Sequence, residues 1–188
     1  METFLFVGLG NKGNEYQKNR HNAGFMALDF IATTLKLEQS EILKFSSSIF
    51  SCEYEGKKII FAKPQTFMNL SGQAVSQILQ FYKIPLTHLF VFHDDIDIEN
   101  ARIKFKNGGG NGGHNGLKSI TQTVGNEYTR IRIGVGRPLH GDVANFVLSD
   151  FKANEMLEIK EKITLIAIHL SLLIEKKLPI LSEKIQNA

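Results

Sequence analysis

The side chains of this chain best suited to chemistry are histidines, asparagines and aspartates that stand where apolar runs end. The first run, Phe4–Val7, gives way to Gly8–Gly24, which reads GLGNKGNEYQKNRHNAG. No helix or strand period explains this stretch, and long polar loops in compact proteins carry function more often than not. It holds Asn11 on its first turn and His21 between Arg20 and Asn22. A second run, Leu89–Phe92, ends in His93, Asp94, Asp95 and Asp97, and a glycine-rich loop ends in His114 and Asn115. An aspartate hydrogen-bonded to one imidazole nitrogen fixes the tautomer and leaves the other nitrogen to take a proton from water. His21 is the base this reading favours, with one of the three aspartates behind it; on spacing alone His114 is the alternative. Asn11, Asn69 and Asn115 each follow an element that ends near the same sheet edge. Their amides can donate to a developing oxyanion without competing for the base's proton. A covalent nucleophile is not expected, because no G-x-S-x-G elbow occurs and Cys52, the only cysteine, falls mid-strand. The His93–Asp97 cluster has no matching second half, so no metal is expected. His88, His140 and His169 read as loop or packing residues.

The elements that must position these residues follow from periodicity. Phe4–Gly8 reads as a buried strand and Phe25–Leu37 as a helix with Phe25, Leu28, Ile31, Ala32 and Leu35 on one face. Strands are expected over Phe45–Tyr54 and Lys57–Ala62, joined by a Glu55-Gly56 hairpin turn. A helix follows over Ser71–Tyr82, then strands at Leu89–His93, Ala101–Lys106 and Thr129–Val135, with a helix over Asn115–Val124. On the Thr129–Val135 strand, Arg130 and Arg132 share one side and Ile131 and Ile133 the other. Residues 136–150 read as an irregular, mobile flap, and 154–188 as C-terminal helices: one long helix over Asn154–Lys176 and a short one over Ile180–Gln186. Strands alternating with helices predict an α/β fold, a single three-layer α/β/α domain over 1–188 with a twisted, largely parallel mixed sheet.

Two glycine motifs point to nucleotides without supporting them. Gly8-Leu9-Gly10-Asn11-Lys12-Gly13 is a literal G-x-G-x-x-G after a strand, but a dinucleotide site needs a helix to begin inside the motif, and the eight residues after Gly13 are polar. The loop Gly108–Gly113 lacks the Gly-Lys-Ser/Thr ending of an NTPase. Its amides, at a helix start beside Lys106 and Arg132, could still receive one phosphate of a nucleic acid. Charge agrees. The chain carries a net +3, yet seven basic residues between Arg102 and Arg137 face the single acid Glu127, so this stretch is +6 and the rest −3. Such clustering favours a polyanionic partner. With 188 residues, 43% hydrophobic and 22% charged, no basic N-terminal leader and no apolar run long enough to span a bilayer, the chain reads as a cytoplasmic globular protein.

Taken together, GLGNKG (8–13), Tyr16 with RHNAG (20–24), KPQTFMNLSG (63–72), HDDID (93–97), KFKNGGGNGGHNGLKSI (104–120) and RIRIGVGRP (130–138) closely resemble bacterial peptidyl-tRNA hydrolase. The blocks run in order over about the first three quarters of the chain, and the C-terminal helices match only loosely. The resemblance implies hydrolysis of the ester between a peptide and the 3′ ribose of tRNA, which frees tRNA from abandoned translation, by a monomer that needs no cofactor. It implies His21 as base, Asp94 as its supporting acid and Asn11 as the residue that separates N-blocked peptidyl-tRNA from free aminoacyl-tRNA. It further implies a substrate groove of Tyr16, Phe67, Met68, Asn69, His114 and Asn115, and a clamp of Lys106 and Arg132 on the tRNA 5′-phosphate. Lys12 and Asn19 depart from the family's usual proline and threonine, which predicts altered loop stiffness rather than lost activity. An idle RNA-binding module would not need His21, Asp94, Asn69 and Asn115 together, and a small-molecule esterase would not need the +6 stretch.

Overall fold

An apolar run with no polar interruption is stable only when both of its faces are covered. In the computed structural model, which describes all 188 residues, β1 (Thr3–Gly8) is accordingly the central strand of a seven-stranded sheet. It runs parallel to β4 (Lys57–Pro64) on one side and β5 (Leu89–Asp95) on the other. Beyond β5 lie parallel β7 (Thr129–Gly134) and, antiparallel at the edge, β6 (Ile103–Asn107). Beyond β4 lie β3 (Ser47–Tyr54) and β2 (Ile42–Lys44), both antiparallel, giving the order β2-β3-β4-β1-β5-β7-β6.

The period-2 alternation sorts side chains into two cores. Phe6 meets Phe61, Phe90 and Phe92 at centroid distances of 5.2–5.6 Å on one face. That face is covered by α1 (Ala23–Thr34), α5 (Ala153–Ile168), α6 (Leu170–Ile174) and α7 (Leu178–Gln186). Leu5, Val7, Ile60 and Val91 point the other way, onto α2 (Ser71–Tyr82) and α3 (Asn115–Val124). This is the α/β fold with a mixed, largely parallel sheet that the pattern predicts.

Three local expectations give way. The segment 136–150 is not wholly irregular: Asp142 caps a short helix, α4 (Val143–Val147), by accepting from the Ala144 amide at 3.1 Å. The predicted long helix breaks at His169. Its buried positions Ile159, Ile163, Ile166, Leu170 and Leu173 keep an unbroken 3–4 spacing across the break, so periodicity alone could not reveal it. The strand expected from Phe45 starts at Ser47, because Phe45 and Ser46 adopt positive φ (55° and 52°) in the turn out of β2.

The carboxyl ends of β1, β5 and β7 lie together on one edge, where open α/β sheets bind their ligands. Two glycines bring the first helix to that edge. A Cβ on Gly8 would strike the carbonyl of Gly24, and one on Gly24 would strike the carbonyls of Phe92 and Leu9. The Gly8-Leu9-Gly10 turn thus serves close helix–strand contact, and no helix begins within it.

Candidate active site

The polar loop after β1 closes on itself before α1 begins. Arg20–Asn22 form a 3-10 turn, and the Asn22 side chain brackets the backbone of Asn11, accepting from its N–H at 2.8 Å and donating to its carbonyl at 3.0 Å. Asn11 is thereby held with its own amide free. On the neighbouring strand Asp94, only 4% exposed, receives two imidazoles. His21 Nδ1 lies 2.9 and 3.0 Å from its two oxygens, and His114 Nε2 lies 2.9 Å from Oδ1. Sequence pattern left the supporting acid open among three; the neighbours separate them. Asp95 accepts from Arg132 Nε at 2.9 Å and Asp97 from Arg137 Nη2 at 2.6 Å.

His114 is the N-cap of α3, and its Nδ1 accepts from the amides of Gly116 and Leu117 at 3.1 and 3.4 Å. A ring that accepts at Nδ1 carries its proton on Nε2, so His114 donates to Asp94 and has no lone pair left. These bonds occupy the Gly116 and Leu117 amides of the helix start. His21 differs: Nδ1–H donates to Asp94 and Nε2 has no protein partner.

The electrostatics follow. Burial by itself would lower the His21 pKa, but the hydrogen bond and charge of Asp94 outweigh it and raise the pKa above the usual imidazole value. Burial opposes ionisation of Asp94, yet His114 and His21 hold its carboxyl well below the usual range. His93 is fully enclosed, and burial together with neighbouring His114 lowers its pKa to about 3, so it stays neutral. It donates through Nδ1 to the Asp94 carbonyl at 2.8 Å. His21, Asp94 and His114 keep their ligating atoms within 4.8 Å, a grouping able to grip a metal ion, and here both rings turn their N–H onto the carboxylate.

These groups border a cavity of about 360 Å³. Asn11, His21, Met68, Asp94, His114 and Asn115 line it, with Asn111–Gly113 on one side and Val143, Ala144, Val147 and Leu148 of the α4 segment on another. Met68 and Asn115 also border an adjoining groove with Phe67, which is 80% exposed, Asn69 and Lys118. Tyr16 lies on the 3-10 turn Asn14–Tyr16 and lines neither space. Lys106 and Arg132 sit on adjacent strands, where Lys106 pairs with Arg130 and Lys104 with Arg132.

Arg130 is the basic residue that pattern misassigned. It is 2% exposed, and its guanidinium gathers the Gly109 and Gly110 carbonyls with Asn126 Oδ1 at 2.7 Å, so it shapes the glycine-rich loop from inside. Arg102 and Arg137 pair with Glu99 and Asp97. Of the seven cations only Lys104, Lys106 and Lys118 have no polar partner. The apolar wall from α4 was also missed, since Val-Ala-Asn-Phe-Val in a predicted flap carries no chemical signal.

Known proteins share this sequence and this fold. The peptidyl-tRNA hydrolase family profile matches residues 5–188. Peptidyl-tRNA hydrolase of Rickettsia bellii (strain RML369-C) is 50% identical over 175 residues, covering 93% of this chain and 95% of that protein. That of Rickettsia felis is 50% identical over 182 residues, covering 96% and 98%. The crystal structure of peptidyl-tRNA hydrolase from Acinetobacter baumannii superposes with a TM-score of 0.89 at 34% identity, over 97% of this chain and 94% of that one. With sequence matched nearly end to end and the same fold beneath it, the chain belongs to the peptidyl-tRNA hydrolase family and is a hydrolase.

Proposed function

We propose that the chain cleaves the ester between the carboxyl carbon of an N-blocked aminoacyl or peptidyl group and the 3′ oxygen of the terminal tRNA ribose, by direct attack of water. His21 Nε2 takes a proton as the water oxygen bonds to the carbonyl carbon. The imidazolium that forms is stabilised by Asp94, which already accepts from Nδ1. Asn11 and Asn115, which border the cavity with His21, offer amide donors to the carbonyl oxygen as it gains charge, while Asn69 lies in the adjoining groove. When the tetrahedral intermediate collapses, the ester C–O bond breaks and the proton passes from His21 to the departing ribose oxygen. The products are a tRNA 3′ hydroxyl and a carboxylic acid, which gives up the second proton of the water to solvent and leaves as the carboxylate. Asn11 selects N-blocked substrates, and Met68, Phe67, His114 and Asn115 line the path of the peptide and the terminal nucleotide. Lys106 holds a phosphate together with Arg132, whose Nε is engaged by Asp95 while its two terminal nitrogens are free. Tyr16, outside the cavity, supports the loop from which His21 projects.

The observation that carries this reading is the unequal commitment of the two rings on Asp94. One has both nitrogens engaged; the other keeps a nitrogen free on the cavity. A positioned general base is worth about 10²–10⁴ in rate. His21→Ala is therefore expected to lose that factor on N-acetyl-aminoacyl-tRNA while uncharged tRNA binds as before. Release from unblocked aminoacyl-tRNA should be far slower than from the N-acetylated form in the unsubstituted protein. Undiminished turnover by His21→Ala would overturn the assignment.

A further inference from the structure

Arg20, the residue before His21, is only 5% exposed and points away from the cavity. Its Nη1 donates to Ser149 Oγ at 2.8 Å, to the Asp150 carbonyl at 2.6 Å and to the Ser149 carbonyl at 3.3 Å. Its Nη2 donates to Glu155 Oε2 at 2.8 Å, and that oxygen also accepts from the Lys152 amide at 2.8 Å. The guanidinium carbon lies 4.5 Å from the Phe146 ring centroid and 5.4 Å from that of Phe151. The main chains join as well: Arg20 N donates to Ser149 O and Phe151 N to Lys18 O, both at 3.0 Å, around an antiparallel bridge between Asn19 and Asp150. Every partner falls between residues 146 and 155.

These residues continue directly from α4, whose Val143, Ala144 and Val147, with Leu148, form a wall of the cavity that also holds His21. An apolar side chain at position 20 could fill the same space. Only a planar guanidinium reaches acceptors on two successive residues and a carboxylate in the first turn of α5 in a single fixed fork. Such a fork sets both the register of 149–151 against 18–20 and the separation of the two strands.

We propose that Arg20 is a positioning residue for hydrolysis. It latches the 143–151 segment to the loop bearing His21, so that the imidazole and the wall facing the substrate are set by one contact, with Glu155 orienting the guanidinium. This rests on His21 being the base. The free lysines 104, 106 and 118 lie on β6 and α3, outside the latch, so affinity for the body of tRNA should not depend on it.

The test compares Arg20→Lys and Glu155→Gln with the unsubstituted protein in three measurements: kcat and KM on N-acetyl-aminoacyl-tRNA, Kd for uncharged tRNA, and residue-resolved amide exchange. Arg20→Lys keeps the charge but cannot span Ser149, Asp150 and Glu155 at once. Glu155→Gln leaves Arg20 in place and covers the case in which the first variant does not fold. The expected result is a fall in kcat of about tenfold or more with Kd within about twofold. Exchange should quicken at the Phe151 and Arg20 amides while amides of β1 and β5 stay protected. Unchanged kcat despite fast exchange at Phe151 would overturn the proposal, as would a loss of activity matched by equal loss of protection in β1 and β5. Turnover by the unsubstituted protein and its loss in His21→Ala test the underlying mechanism separately, so the Arg20 and Glu155 results bear on the latch alone.

Discussion

At the scale of single residues, one carboxylate serves two rings, and the direction of each hydrogen bond matters more than its length. Asp94 accepts from His114 and from His21. In Asp94→Asn one of its oxygens becomes an N–H₂ group facing His21 Nδ1. That group favours the tautomer whose Nε2 already carries a proton and cannot take another. Activity should fall by about tenfold or more, yet by less than the roughly 10²–10⁴ expected for removing the base itself. The pH profile gives a sharper readout. His21 must be neutral to accept a proton, so kcat/KM rises with pH through its pKa in the free protein, which lies above 6.5 because Asp94 overrides burial. Without the carboxylate charge only burial remains, and the acid limb should move to lower pH. The stability linkage has a matching sign. A raised histidine pKa contributes stability that is complete below 6.5 and disappears as pH rises through the folded value. Kinetics of Asp94→Asn between pH 5 and 8 check this; an acid limb left unmoved would mean that another group titrates there.

At the scale of elements, delivery of His21 depends on how closely α1 approaches the sheet. Gly24→Ala would place a methyl against the carbonyls of Phe92 and Leu9, backbone atoms that cannot swing aside. Forced overpacking of this kind costs about 1–3 kcal/mol. Urea unfolding should show that loss, and because the strain falls two residues from the 3-10 turn Arg20–Asn22, activity should drop further than the unfolded fraction explains. In the sequence Gly24 only closes the polar stretch that begins at Gly8; its contact with β5 and Leu9 emerges from the packing. The strand–loop–helix order was legible because burial dictates period. What stayed hidden obeys no period. β2 is three exposed residues held by pairing with β3. The break at His169 preserves the buried spacing on both sides. Arg20 and Arg130 look like surface cations in any sequence pattern, because a guanidinium carries the same letter whether it meets water or the inside of a loop. His21 was easier to find, since few side chains can act as a base near neutral pH. Residue types alone did not separate Asp94 from Asp95 and Asp97, which differ only in the neighbours the fold gives them.

At the scale of the whole molecule, charge on the page of the sequence and charge available to a partner are different quantities. The segment 102–137 counts as +6, but Arg130 is buried beneath the glycine-rich loop, and Arg102 and Arg137 face Glu99 and Asp97. Lys104, Lys106 and Arg132 share one face of β6 and β7, and Lys118 lies on α3, which covers that side of the sheet. The cations able to meet phosphate therefore run along this face, from Lys104 and Arg132 toward the carboxyl end of β7 to Lys106, which lies opposite Arg130 near its start. Each lysine–phosphate contact releases counterions, so log K against log salt steepens by about 0.7–0.9 per contact. Uncharged tRNA titrated between about 50 and 200 mM salt should accordingly give a shallower slope for Lys106→Ala and for Lys118→Ala. Arg137→Ala should leave the slope as it was, because its guanidinium is already neutralised by Asp97. Equal flattening by Arg137→Ala and Lys106→Ala would mean that ion pairs on this surface open for RNA, and that the tRNA face extends toward the 136–150 segment instead of stopping at β6 and α3.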